Sequence, residues 1–385
     1  MSVAGLADLP LHWGHVPPWL ASIMKRLAKA IVKVIVIDLG NEALLRRLSN
    51  PLWFQAFNNI IGMDWDSSGS TTVTTAILKE VLNDLNIDVR VAGGKGILSR
   101  KTPEELLRYG EELGLSSSKV KELTKVSKLG AKADSVLLQD GFTLYHHALV
   151  FDRSGRWVII QQGMNTELRL ARRYHLAWYV SSDITLEPHS GVASDIRLTP
   201  LNLTHKESAS ARSVIVDLVN EKPEKVKRDI VLVNAILKGN RTLFGLKPLR
   251  PIDFKLPYYK PVKLTNNLLK ILKEAYEVKP RDVSELMLHT RVGPETLRAL
   301  SLISELIYRE PPSLEDPESV PFSPFKYAFA IGGKDGIPYP VKREVAEKVI
   351  QELEEMIKSA ELGSKERLLA LRALRKLAPK DVGRY

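Results

Sequence analysis

The sequence predicts an α+β protein that is predominantly helical, on three observations. Apolar residues recur at helical spacing through most of the chain. One region, 142–165, concentrates β-branched and aromatic residues around an Asp-Arg-Ser-Gly turn. The segment 246–264 is too rich in proline to form regular helix, which marks a break. The expected layout is an N-terminal helical and β-hairpin module over 1–245 that carries the chemistry. A proline-rich linker over 246–264 and a helix-hairpin-helix module over 265–385 follow it.

Each element has its own signal. Residues 19–48 set Leu20, Ile23, Leu27, Ile31, Val34 and Ile35 at helical spacing, with Gly40-Asn41 as the natural break. Asn50-Pro51 opens an aromatic-rich helix, followed by a Ser/Gly loop and another helix. Thr102-Pro103-Glu104-Glu105 fits a capping box with proline at the first helical position. The helix over about 117–129 sets Lys119, Lys121, Lys125 and Lys128 against the single acid Glu122. A solvated face and a phosphate-facing surface account for it equally. In the hairpin, a turn at Arg153-Ser154 places His146 opposite Gln161 and Tyr145 opposite Gln162. A helix bearing Arg169, Arg172, Arg173 and His175 is expected next, then a loop over 181–206 and helices near 207–220 and beyond EKPEKVKRD. Further helices are expected at 265–277, 282–288, 294–308, 341–359 and 364–377.

At 385 residues the chain exceeds what one core usually organises, so two or three domains are expected. The net charge of +11 favours polyanions, either nucleic acid or an anionic membrane surface, with general solubility as the plain alternative. Zero cysteines exclude disulfides, thiolate metal sites and cysteine nucleophiles. That absence, with abundant Lys and Glu and few Met, suits a heat-adapted source. The start of the chain lacks a signal-peptide pattern, and Ala28–Leu39 contains Lys29, Lys33 and Asp38 and is too short to span a bilayer. A cytoplasmic protein without membrane contact is the expectation.

Several segments could carry chemistry. DVSELMLHTRVGPETLRALSLISELIY, 282–308, fits a helix-hairpin-helix, in which a glycine hairpin takes left-handed dihedrals and brings helix amides to a phosphate. Arg291, Gly293, Thr296 and Arg298 are its candidate contacts, with Arg172 and Arg173 as further cations; a helical hairpin packed inside its domain is the alternative. IGGKDGIPYPVKR, 331–343, groups Gly332, Gly333 and Gly336 beside Lys334 and resembles an anion nest, or a plain turn. AGGKG at 92–96 is a weaker version. Asp140, His146, His147, Gln161 and Gln162 form the candidate catalytic centre, since carboxylates and imidazoles on adjacent strands can hold a divalent metal or shuttle a proton beside a scissile phosphate. Asp140 and His146 are the candidate metal ligands, and Asp64 and Asp66 the alternative pair, which helix capping explains as well. His12 and His15 are a weaker ligand pair.

LPLHWGHVPPWL, RRLSNPLWFQAFNNIIGMDWDSSGSTTVTTAILKE, YHHALVFDRSGRWVIIQQGMN, ARRYH, VGPETLRALSLISELIY and GGKDGIPYPV together resemble the uncharacterised prokaryotic (archaeal and bacterial) family called domain of unknown function 763. The resemblance spans nearly the whole chain. It carries no activity, but the family's helix-hairpin-helix segment implies DNA handling, plausibly repair. The expected function is therefore a DNA-binding protein with metal-dependent nuclease activity, using Mg²⁺ or Mn²⁺. A glycosylase or lyase, with Asp316 or Asp335 as its acid, and a non-enzymatic DNA-binding adaptor are the rivals.

Overall fold

The computed structural model describes residues 18–62, 69–239, 250–317, 319–320, 343–360 and 362–375, and its fold is α+β and predominantly helical. Helix α1 (Pro18–Leu48) breaks at Gly40, where the sequence places the break. Asn50 caps α2 (Pro51–Ile60), its side chain accepting from the amides of Leu52 and Trp53. Helix α3 (Gly69–Asp84) leads to strand β1 (Val89–Lys95), short α4 (Ile97–Arg100), α5 (Thr102–Glu112) and α6 (Ser117–Lys132). The expected capping box at α5 does not form: the Thr102 hydroxyl donates to Ser99 O, and Glu105 instead accepts from Gly93 N and Lys79.

Helix α6 widens into a π turn, Ala133–Leu137, before β2 (Leu138–Gln139). The strands β3 (Thr143–Asp152), β4 (Trp157–Asn165), β5 (Leu170–Ala177) and β6 (His189–Ala193) follow, then β7 (Leu201–Asn202). Helices α7 (Ala209–Asn220), α8 (Pro223–Leu237), α9 (Asn266–Val278), α10 (Val283–His289) and α11 (Pro294–Leu306) come next, then β8 (Ser319–Val320), α12 (Arg343–Ser359) and α13 (Ser364–Arg375). The main sheet runs β1-β3-β4-β5-β6-β8, antiparallel except for the short parallel β6·β8 pair.

Side chains alternate between the sheet faces, and each face carries a core. Ala148, Val150, Val158 and Ile160 meet α1, α2 and α3, joined by Leu353, Ile357 and Leu374 of α12 and α13. Leu149, Phe151, Ile159 and Leu176 face the other way, onto α5, α6 and the α7–α11 group. The molecule is thus helices, sheet, helices.

Three expectations are corrected here. The hairpin register is shifted by one: Phe151 pairs with Trp157, His147 with Gln161 and His146 with Gln162. An extra residue, Tyr145, bulges between Leu144 and His146, and only beyond it does the expected register hold, as Thr143↔Met164. The segment holding Arg172, Arg173 and His175 is strand β5, not helix, paired to β4 from Val158↔Ala177 to Asn165↔Leu170. Both its faces are covered, so polar residues on either side hide the alternation. Finally, 251–264 is a strap and not a spacer. Tyr258 and Tyr259 are buried, Arg298 donates to the carbonyls of Tyr258 and Lys260, and Asn234 bonds Val262 at both its N–H and C=O. One core runs from Ala92 to Leu306 across the expected boundary. Residues 246–249 lie outside the described residues.

Candidate functional site along a buried polar chain

The polar residues of the hairpin gather at one end of the sheet but divide between its faces. On the α6 side, Gln161 donates from Nε2 to Gly130 O (2.8 Å) and to Asp134 Oδ2. A backbone carbonyl only accepts, so the amide orientation is fixed and Oε1 faces His147 Nδ1 at 2.7 Å. His147 therefore donates from Nδ1, and its Nε2 accepts from the Ser127 hydroxyl (2.9 Å). Burial holds the His147 pKa down, which keeps the ring neutral.

The chain continues beyond Gln161. Asp134, fully buried in the π turn, accepts from His189 Nε2 at 2.6 Å. Single π turns inside helices recur at functional sites; here the turn aims a carboxylate across the sheet to β6. With Nε2 donating to Asp134, the other ring nitrogen, Nδ1, has no partner among the described residues. His189 lines a cavity of 860 Å³, whose walls also include Asn50, Arg197, His205 and three acids, Glu187, Glu315 and Asp316. A buried carboxylate holding one tautomer of a cavity-facing histidine is the arrangement of a general base.

Asp140 is brought to the same face but is fully occupied. Its Oδ2 accepts from Arg172 (2.8 Å) and Tyr174 (2.7 Å), and its Oδ1 from Phe142 N (3.1 Å). Arg172 also forms a two-pronged pair with Asp316, 2.7 Å to each oxygen. Burial opposes the guanidinium charge, but Asp140, Tyr174 and Asp316 outweigh it and raise its pKa.

His146 points to the other layer, where Nε2 meets Thr75 Oγ1 at 3.0 Å. The Thr75 hydroxyl already donates to Thr71 O, so His146 Nε2 carries the proton and Nδ1 is a buried acceptor without a partner. Burial brings the His146 pKa down to about 3. Gln162 lies on that face too, bonded to the Tyr145 hydroxyl. Asp140 and His146 thus sit on opposite faces and do not form the expected metal pair. Arg173 is buried beside His146's layer, over Phe54, and donates to His175 Nε2, Gln55 and Thr71. Burial brings its pKa down to about 9.

The expected phosphate contacts fare differently. Arg172, Arg173 and Arg298 are buried and Thr296 is too, so none presents itself to a polyanion. Gly293 has φ −116° and ψ −177°, extended backbone open to any residue, so the hairpin does not need a left-handed glycine. Arg291 is exposed but pairs with Glu274 (2.6 Å), and the first turn of α11 presents Glu295, a charge that repels phosphate. Helix α11 is buried from Thr296 to Leu306, which makes it a core helix. Asp64, Asp66, Lys334, Asp335, His12, His15 and the 331–342 part of the glycine cluster lie outside the described residues.

Asp134 and His189 escaped sequence reading. They are 55 residues apart, one at the end of a lysine-rich helix and one in an expected loop. His205, Glu207 and Glu315 also come together, with ligand atoms within 4.8 Å of one another. His205 Nδ1 already accepts from Glu207 N (3.3 Å), which leaves Nε2 facing Glu187 and Glu315.

Among known proteins, the family model described as "Protein of unknown function (DUF763)" matches residues 5–341. No curated protein and no solved structure matches. No described helix is long and apolar enough to cross a membrane.

Proposed function

We propose that this chain, which belongs to the DUF763 family, is a cytoplasmic nucleic-acid hydrolase that cleaves phosphodiester bonds with His189 as general base. The observation that carries this reading is the Asp134–His189 hydrogen bond of 2.6 Å at the wall of the 860 Å³ cavity. His189 Nδ1 takes a proton from water, the water oxygen bonds to phosphorus, and the P–O bond to the leaving strand breaks as its oxygen takes a proton from solvent. Asp134 holds the ring in the tautomer that can accept and steadies the imidazolium that forms. The +11 charge supports a polyanionic substrate. Water activation by a histidine does not by itself require a metal, so dependence on Mg²⁺ or Mn²⁺ is a separate outcome to be measured.

The test is cleavage of labelled single-stranded, duplex and flapped DNA and of RNA, with and without each metal. His189→Ala and Asp134→Asn should each slow cleavage by about 10²–10⁴, with affinity unchanged. Lys29→Ala, on the exposed side of α1, should cut near the wild-type rate. A folded His189→Ala protein that cuts like wild type removes the general base, and binding without cleavage of any substrate leaves an adaptor.

A further inference from the structure

A second cavity, of 510 Å³, opens at the far end of the polar chain, between α4, the start of α5 and α6. Its floor is Tyr145, His146 and His147, and Arg100 and Lys128 line its walls with the hydroxyls of Ser99, Thr102 and Ser127. No carboxylate lines it. Exposed Lys95 and Lys101 adjoin it in sequence, and exposed Lys125 stands one turn before Lys128 on α6. Of the acids next to it, Glu105 is consumed by Lys79 and the Gly93 amide, and exposed Glu104 follows Pro103 without lining the cleft.

The AGGKG segment explains how this cleft is built. Gly93 lies so close to β3 that a Cβ there would sit 2.3 Å from His147 O. Gly96 N donates to Tyr145 O (2.8 Å), which folds the exposed loop back over the cleft floor. A Cβ at Gly96 would meet nothing within 4 Å, so the loop backbone stands open to a ligand. A basic groove along α1 differs: its Arg26, Lys29 and Lys33 share the lining with Asp38 and Glu366, and Glu366 pairs with Arg26 at 2.5 Å.

We infer that the acid-free cleft between α4 and α6 holds the sugar–phosphate backbone of the nucleic-acid substrate. This rests on the hydrolase reading, and it moves substrate binding from α10–α11 to the Lys-rich face of α6. Strands β3 and β6 are three strand spacings apart, roughly 14 Å, so one oligonucleotide is long enough to reach from the cleft to His189. Free polyphosphate shares the same chemistry, and the experiment separates the two.

Binding of a fluorescently labelled oligonucleotide is measured by anisotropy against salt for the full chain. The variants are Arg100→Glu with Lys128→Glu, and a charge-matched control, Lys29→Glu with Lys33→Glu. The cleft variant should lose about tenfold in affinity or more, and its log–log salt slope should shrink by about two. The control should change less than about threefold, and His189→Ala should bind as wild type. Tripolyphosphate at matched charge should displace the oligonucleotide poorly. Equal losses in both double variants, an unchanged cleft variant or full displacement by tripolyphosphate overturns the cleft while leaving the hydrolase reading in place. A wild-type chain that binds no oligonucleotide overturns both. Loss of binding in the cleft variant together with no cleavage by wild type sustains the cleft and sinks only the catalytic assignment.

Discussion

His146, His147 and His175 are buried, and each ring has one nitrogen whose role is dictated by its neighbour. For His175, Nδ1 donates to Leu48 O (2.9 Å) while Nε2 accepts from Arg173 (3.0 Å). Burial depresses all three pKa values, that of His146 to about 3 and that of His175 well below its ordinary value, where Arg173 adds to the effect. Histidines in the unfolded chain titrate near 6.5, so below that pH the unfolded state binds more protons than the folded one. These rings therefore contribute stability that is complete above about pH 6.5 and is lost as pH falls toward 3. Asp140, raised by burial, has the opposite sign: its contribution is lost as pH rises through its folded value. For His146 alone the gap is on the order of 4–5 kcal/mol. The melting temperature should decline from about pH 6.5 downward, and His146→Leu should flatten that decline; an unchanged slope would show that His146 is not buried neutral. Part of this was legible, because YHH and QQ announce polar residues in a β-rich region, whereas the same reading places RRYH in a helix. Which of them share a face was not, because Phe151 pairs with Trp157 rather than with Arg156, a one-residue slip at the turn that leaves no mark in composition and displaces every pair up to the bulge at Tyr145.

Elements show the same division between what periodicity reveals and what only packing decides. Helices α9, α10 and α11 fall where apolar spacing and caps put them; Asp282 caps α10 and Thr265 caps α9. Strand β5 was hidden because burial on both faces removes the polar alternation of a half-exposed strand. Strand β1 was hidden because VRVAGGK is short and glycine-rich, and its glycines serve the approach to β3. This yields a paired prediction about two glycines. At Gly93, with φ +93°, a Cβ would meet His147 O at 2.3 Å and Thr102 Oγ1 at 2.7 Å, both in the interior. Gly93→Ala should destabilise the fold by about 2 kcal/mol or more, the range of backbone strain and overpacking. At Gly293 nothing lies within 4 Å and the backbone is extended, so Gly293→Ser, a good helix cap, should be neutral within about 0.5 kcal/mol. Equilibrium denaturation of both variants decides it. A large loss at Gly293 would restore the constrained hairpin that the sequence motif suggests.

At the scale of the whole molecule, the proline-rich segment predicts a boundary, and the structure uses residues 251–264 as a strap. Prolines lack amide donors, so a segment such as 251–264 cannot join a ladder, but its carbonyls still need partners when they are buried. Arg298 and Asn234 supply those partners from α11 and α8, and Arg250 bonds Glu305 of α11 at 2.7 Å. Stripped of that strap, α11 would expose the apolar residues it buries from Leu297 to Leu306. The C-terminal helices cross to the opposite layer: Leu353, Ile357 and Leu374 belong to the core under α1 and α2, and Arg47 of α1 pairs with Glu352 of α12. Residues 265–385 therefore contribute to both cores and own neither. Two consequences follow for cooperativity. Because both cores rest on the same sheet, losing either helical layer uncovers strands such as β4, which is buried from Trp157 to Gly163. Calorimetry should accordingly record one transition, with matching calorimetric and van't Hoff enthalpies. The separate fragments 1–245 and 246–385 should each lack cooperative unfolding, and should recover it only when mixed. Two resolved transitions in the intact chain, or a 246–385 fragment that melts cooperatively alone, would reinstate a domain boundary at the proline-rich segment.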